Sequence, residues 1–273
     1  MTTPSTAPTP SAPPPVGLEV VDGVATVTFT RPESMNSLDV ATKELLLATL
    51  RQVADDEQVR CVVLTGTGRA FCVGQDLKEH VQLLAESAEE LWRTVAEHYN
   101  PVVELLVTMD KPVVAALNGV AAGAGAAFAL AADLRYAGES AGLNLAFTAI
   151  ALSCDSGTSW SLPRLVGPAK AKELLYFPRT LPAAEALEMG LLTEVVPDDE
   201  LADRVGTVAR QLAQGPTRAY GAVRRAIAFS SSHSLADSLD LEDEFMRRTG
   251  VSEDHRAAVQ AFLDKERPTF TGR

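Results

Sequence analysis

PVVAALNGVAAGAGAAFALAAD, residues 112–133, is the stretch whose reading decides the fold. Pro112 to Leu117 is an apolar, partly β-branched run and predicts a buried strand. Asn118-Gly119 ends it. Gly123, Ala124 and Gly125 then lead into an almost wholly apolar helix, Ala126 to Ala132. Small residues at a strand-to-helix turn let a ligand come close to the backbone. The first amides of the helix have no acceptor within it and point at that ligand. Such a turn suits an anion, or an oxyanion that exists only during a reaction. It equally serves as a tight turn into a core helix, so the glycine pattern does not decide function alone.

Outward from this stretch, strands alternate with helices. On the N-terminal side, Leu18–Val21 and Val24–Phe29 flank Asp22-Gly23 as a hairpin. A helix is expected from Leu38 to about Asp55, with Leu45, Leu46, Leu50 and Val53 on one face. Arg60–Thr65 is a continuous apolar run, the pattern of a buried parallel strand. Gly66–Gln75, GTGRAFCVGQ, is a second Gly-rich turn, and Asp76-Leu77-Lys78 opens a helical turn after it. A helix follows over about 86–109, with a kink at Pro101. On the C-terminal side, strands are expected at Asp133–Ala137, Leu143–Phe147 and Leu192–Val196, and helices at Leu162–Phe177 and Pro182–Glu188. From Asp199 only helical patterns remain: 199–213, 216–229, 234–249 and 253–264. The fold class is α/β with a C-terminal helical region. The expected divisions are a Pro-rich disordered tail over 1–15, an α/β core over 16–197 and a helical region over 198–273.

Composition removes several function classes. The chain has 273 residues, 46% of them hydrophobic, enough for a sizeable core. A net charge of −12 argues against nucleic acid or a membrane surface as partner. No apolar run reaches the ~18 residues of a membrane span. Three cysteines, Cys61, Cys72 and Cys154, lack metal-ligand spacing and read as free thiols in a reducing cytoplasm. His80, His98, His233 and His255 accompany no nucleophile elbow and no paired zinc ligand. Walker A and dinucleotide fingerprints are absent.

One carboxylate stands apart. Asp155 lies in Ser153-Cys154-Asp155-Ser156-Gly157-Thr158-Ser159-Trp160, between apolar segments. It suits a helix N-cap. It equally suits an acid/base whose pKa burial would raise.

Four segments together resemble the crotonase superfamily, the enoyl-CoA hydratase/isomerase family: RPESMNSLD (31–39), GRAFCVGQDLKE (68–79), KPVVAALNGVAAGAGAAFALAADLRYAG (111–138) and AFLDKERPTF (261–270). The resemblance spans about residues 17–272. It implies a superhelix of ββα units with a C-terminal helical region that builds a homotrimer or hexamer. It implies an acyl-CoA thioester as substrate, coenzyme A entering with the substrate and no resident cofactor. The N–H groups of Gln75 and Ala124 would hold the thioester oxygen as an enolate forms. The two glutamates that serve hydration in the family fall on Ala127 and Phe147, neither of which moves a proton. Two branches share the Asp155 motif. Epoxyphenylacetyl-CoA isomerases also share NGVAAGAGA, Tyr99-Asn100-Pro101 and Phe270-Thr271-Gly272; 4-chlorobenzoyl-CoA dehalogenases use the aspartate as a nucleophile. The resemblance further marks Val73, Asp76, Leu77, Gly123, Ala127, Phe147 and Trp160 as substrate contacts, and Phe262 and Lys265, with Arg267, for the coenzyme A phosphates and adenine. The leading expectation is an isomerase that uses Asp155 as acid/base. A dehalogenase-like enzyme and a catalytically silent CoA-binding protein are the alternatives.

Overall fold

The computed structural model describes residues 13–273. Residues 1–12 of the Pro-rich tail lie outside the described residues. The Pro15 carbonyl accepts the Thr30 N–H at 3.1 Å and extends the first hairpin by one bond.

That hairpin is β1 (Val16–Val21) and β2 (Val24–Phe29), antiparallel about Asp22-Gly23. Helix α1 (Val40–Asp55) follows, its first turn capped by the Asp39 carboxylate on Thr42 N–H. Then a ββα unit recurs three times. The first is β3 (Cys61–Gly66), β4 (Ala70–Cys72) and α2 (Leu77–Glu86), extended by α3 (Ala88–Thr94), a π-helical turn (Val95–Tyr99) and α4 (Asn100–Thr108). The second is β5 (Val113–Leu117), β6 (Val120–Ala122) and α5 (Ala124–Ala131). The third is β7 (Leu134–Gly138), β8 (Gly142–Asn144) and α6 (Thr158–Tyr176). The short β9 (Leu181–Pro182), α7 (Ala183–Glu188) and β10 (Glu194–Val196) close the core. Helices α8 (Leu201–Ala213), α9 (Thr217–Ser230), α10 (Leu235–Gly250) and α11 (Glu253–Asp264) follow.

Each unit puts its first strand in a six-stranded sheet, ordered β1-β2-β3-β5-β7-β10, and its second in a four-stranded sheet, ordered β4-β6-β8-β9. The large sheet is buried on both faces, which is why β3 and β5 read as unbroken apolar runs. Val62 and Leu64 face the main core with α1, α4 and α5; Cys61 and Val63 face α8. Arg224 of α9 donates to the carbonyls of Leu106 and Met109 and pairs with Asp133, which docks the helical region on the core.

Three expectations are corrected locally. The Gly66–Gln75 and Asn118–Gly123 turns each contain a three-residue strand, β4 and β6. The strand expected through Phe147 stops at Asn144, and Thr148–Ile150 is a 3-10 turn. Helix α6 starts four residues before Leu162, at Thr158, and breaks at Gly167, which adopts φ +77° ahead of Pro168.

Candidate active site

The strand-to-helix turns of the first two units meet because β4 and β6 pair in parallel. Both lead out of the small sheet at the carboxyl ends of their strands. Gly74, at φ +81°, is the point of contact: a Cβ there would stand 2.9 Å from the Ala122 carbonyl oxygen and 3.1 Å from Ala124 N. Gly125 brings α5 just as close to β4, since its Cβ would lie 2.1 Å from the Cys72 oxygen. Leu38 N–H donates to Gly74 O at 2.8 Å, and Asp76 N–H donates to Leu38 O at 3.1 Å. Leu38 thus bonds both neighbours of Gln75, and in such a parallel bridge the Gln75 N–H points away from Leu38. Ala124 is the first residue of α5, so its N–H has no acceptor within the helix. Among the described residues no backbone carbonyl takes either amide hydrogen.

Both turns line one cavity of about 680 Å³. Its walls are mostly apolar: Leu91, Trp92, Val95, Tyr99, Phe147 and Leu152 contribute, with Ala122, Ala146 and Ala149. Asp155 lies in the same lining. It is held in the loop before α6 by its carbonyl, which accepts Thr158 N–H at 2.9 Å. Ser156 and Gly157 follow in left-handed conformations, φ +52° and +70°, so the chain turns sharply there. The Ser156 hydroxyl donates to Asp155 Oδ1 at 2.8 Å. The N-cap position of α6 is Gly157, with no side-chain cap, so the carboxylate is not spent on the helix. Burial pushes the Asp155 carboxyl above the ordinary range, and the bonds from Ser156 and from its own backbone offset this only in part. Burial, and then the charge of Asp155, raise the Tyr99 phenol well above its usual value. Tyr99 is therefore a hydrogen-bond donor at neutral pH.

At the rim, Asp76 caps α2 through Lys78 N–H and Glu79 N–H, accepts from Ser37 Oγ at 2.8 Å and pairs with Arg31. Burial pushes its carboxyl up, but Ser37, the two amides and Arg31 together bring it below the usual range. Arg31 and Lys78 also line the cavity. Among the described residues no group of three His, Cys, Asp or Glu side chains could hold a metal ion.

The cavity thus brings together Asp155, Gln75, Ala124, Val73, Asp76, Leu77, Gly123 and Phe147. Five expected contacts lie outside it, Arg267 among them. Ala127 is one turn further along α5 and 1% exposed, packed into the core. Trp160 is 37% exposed and lies against the Arg164 guanidinium, 4.3 Å from its ring centroid, on the outer face of α6. Phe262 is 82% exposed on α11, and Lys265 is the left-handed C-cap of that helix. Both are held away because Asp254, in the first turn of α11, binds the 271–272 backbone, and the same tail is bonded to Arg60 ahead of β3. That is the amino end of the strands, opposite the cavity.

Tyr99 and Trp92 are lining residues that were not assigned a role from the sequence, whereas Lys78 and Arg31 stood there as the second choice for the phosphates. Tyr99 carried a signal in the Tyr-Asn-Pro motif. Trp92 had none, because its helix packs over the cavity through tertiary contacts alone.

A family model described as enoyl-CoA hydratase/isomerase matches residues 19–273. The chain is 42% identical over 254 residues to the 1,2-epoxyphenylacetyl-CoA isomerase of Escherichia coli K12, covering 93% of this chain and 97% of that one. It is 38% identical over 230 residues to 4-chlorobenzoyl coenzyme A dehalogenase-2 of an Arthrobacter species, covering 83% and 82% respectively. A Mycobacterium abscessus crystal structure described as an enoyl-CoA hydratase/isomerase superposes with a TM-score of 0.91 at 44% identity, over 94% of this chain and 100% of that one.

Proposed function

Because the chain belongs to the enoyl-CoA hydratase/isomerase family, we propose that it isomerises an enoyl-CoA, or a ring-epoxide acyl-CoA, through an enolate with Asp155 as the proton carrier. The observation that carries this reading is the state of the carboxylates along the cavity. Asp76 is consumed by Ser37, Arg31 and the α2 amides. Glu33 is exposed. Asp155 is half-buried, raised in pKa, and bonded through a side chain only to Ser156.

With the thioester oxygen between the Gln75 and Ala124 amides, negative charge forming on that oxygen meets two fixed donors. Such a donor contributes about 3–4 kcal/mol to the barrier where one has been removed. For a 3-enoyl-CoA, Asp155 takes a proton from C2. The electrons of that C–H bond form the dienolate, and Asp155 returns the proton to C4. The product is the conjugated 2-enoyl-CoA, with no change in composition. The apolar wall of Leu91, Val95, Phe147 and Leu152 keeps water from exchanging the proton in transit. Hydration by two carboxylates is disfavoured, because Ala127 is in the core and Phe147 presents only a ring.

The test is to supply a 3-enoyl-CoA and follow the absorbance of the conjugated product, with crotonyl-CoA hydration measured alongside. Isomerisation should exceed hydration by at least tenfold, and the reverse ratio overturns the reading. A second reading rests on the 38% identity to the dehalogenase and on the shared Asp155 motif. It makes Asp155 a nucleophile, and chloride release from 4-chlorobenzoyl-CoA would favour it.

The same family reading supports assembly into trimers or hexamers through α9–α11, whose outer faces carry exposed Val223, Ile227, Leu239, Met246 and Phe262. Phe262 and Lys265 reach a cavity only across such an interface. Within one chain, Arg31 and Lys78 are the cations placed to meet the phosphates.

A further inference from the structure

Lys43 is an unusual residue for the first turn of an amphipathic helix. It is 2% exposed, buried as deeply as the leucines around it. Its ammonium has three acceptors for its three hydrogens: Gln75 Oε1 at 3.2 Å, Glu79 Oε1 at 3.0 Å and Thr94 Oγ1 at 3.0 Å. The acceptors are themselves tied. Gln75 Oε1 also accepts the Tyr99 hydroxyl at 2.5 Å, and Gln75 Nε2 donates to Glu79 Oε1 at 3.1 Å. Glu79 Oε2 accepts Val40 N–H at 2.7 Å, which returns the network to α1.

Every part of this network converges on one side-chain amide. The Gln75 oxygen takes two donors and its nitrogen has an acceptor, so the side chain is held from α1, α2 and the π-helical turn at once. A buried ion pair is a poor source of stability, because desolvation offsets most of its attraction. Its best-attested use is to fix one arrangement among several. Here the residue that is fixed is the one whose backbone N–H faces the cavity.

We propose that Lys43 is a positioning residue for the oxyanion hole: acting through the Gln75 side chain and balanced by Glu79, it holds the Gln75 N–H on the thioester oxygen. The proposal rests on the reading that Gln75 N–H is one of the two donors. A donor acts at full strength only if it is already aimed when charge develops. Lys43 does not line the cavity.

The experiment uses cinnamoyl-CoA, whose chromophore is conjugated with the thioester carbonyl, so that polarisation by the two amides moves its absorbance to longer wavelength on binding. Lys43→Met/Glu79→Gln removes both charges together and leaves no stranded ion. Gln75→Leu removes the side-chain handle and keeps the backbone N–H. Both variants should bind cinnamoyl-CoA within about threefold of the wild type. Both should lose most of the spectral shift, and both should lower kcat for 3-enoyl-CoA about tenfold with KM little changed. The triple variant should be no worse than either, since the effects pass through one amide. A wild-type shift that survives in Gln75→Leu overturns the proposal, even if the double variant fails to fold. No shift in the wild type itself brings down the oxyanion-hole reading, and the proposal with it.

Discussion

Asp155 stands at the point where stability and chemistry conflict. Its carboxyl is raised by burial, so the folded state holds the proton more tightly than the unfolded chain does. The stabilisation this group offers is present below its unfolded pKa and is lost as pH rises through the folded value. At neutral pH the ionised group therefore costs stability. Asp155→Asn should raise the melting temperature at pH 7 while cutting isomerisation by about 10³-fold, the scale of a lost general base. CoA-ester affinity should stay within a few-fold. Calorimetry and the 3-enoyl-CoA assay on one preparation check both halves, and a variant that keeps most of its activity removes Asp155 from the mechanism. The acid limb of kcat/KM should likewise fall above the range of an ordinary aspartate, because the base works only when ionised. The place of Asp155 on the cavity was legible in the sequence because a carboxylate between apolar segments is rare. Lys43 was not: a lysine in an amphipathic helix reads as solvated, and only the approach of Glu79, Gln75 and Thr94 from three other elements makes it internal.

Among the elements, the long ones could be read and the short ones could not. Helices α1 and α8–α11 carry a 3.6-residue apolar period, and β3 and β5 are unbroken apolar runs. Strands β4 and β6 have three residues each between glycines, too few to show alternation, yet their pairing is what brings Gln75 and Ala124 together. Trp160 was misplaced for a related reason: α6 begins earlier than its apolar pattern suggests, and the extra turn points the indole outward. The start of α2 depends on Asp76. Its folded pKa is lowered, so it stabilises the protein above its unfolded pKa and ceases to do so as pH falls through the folded value. Asp76→Ala should remove the cap on Lys78 and Glu79 and leave Arg31 with the Asp39 carboxylate and the Ser37 carbonyl. A loss of about 1–2 kcal/mol is expected, read as a melting temperature lower by roughly 2–6 °C. An unchanged melting temperature would mean that α2 does not need its cap.

At the scale of the molecule, the α/β class and the C-terminal helical region were both visible in the order of periodicities, and the site collects at the carboxyl ends of the strands. What no pattern announced is how the 266–273 segment is held at the opposite end. Arg60 donates to Thr217 Oγ1 at 2.9 Å, Phe270 O at 2.9 Å and Gly215 O at 2.5 Å, and Asp254 accepts from the Thr271 and Gly272 amides. Arg60→Met should free this segment and the start of α9. The cost should be about 3 kcal/mol, from charge-assisted bonds lost and carbonyls left unpaired. Differential scanning should show a drop of roughly 5–10 °C. A drop under 1 °C would mark the contact as incidental. Sedimentation of the wild type at micromolar concentration should give the mass of three or six chains, since the exposed apolar faces of α9–α11 have no cover among the described residues. A single-chain mass counts against assembly.

The Arg60 contact also sets an order of events during synthesis. Its guanidinium belongs to the first ββα unit, while its carbonyl partner Phe270 is made 210 residues later. The sheets can assemble on the ribosome as their strands emerge. The clasp cannot close until residue 270 has cleared the exit tunnel. Until then this tie is unmade. A released chain that ends before residue 270 should therefore be more open to chaperones and proteases than the full-length chain.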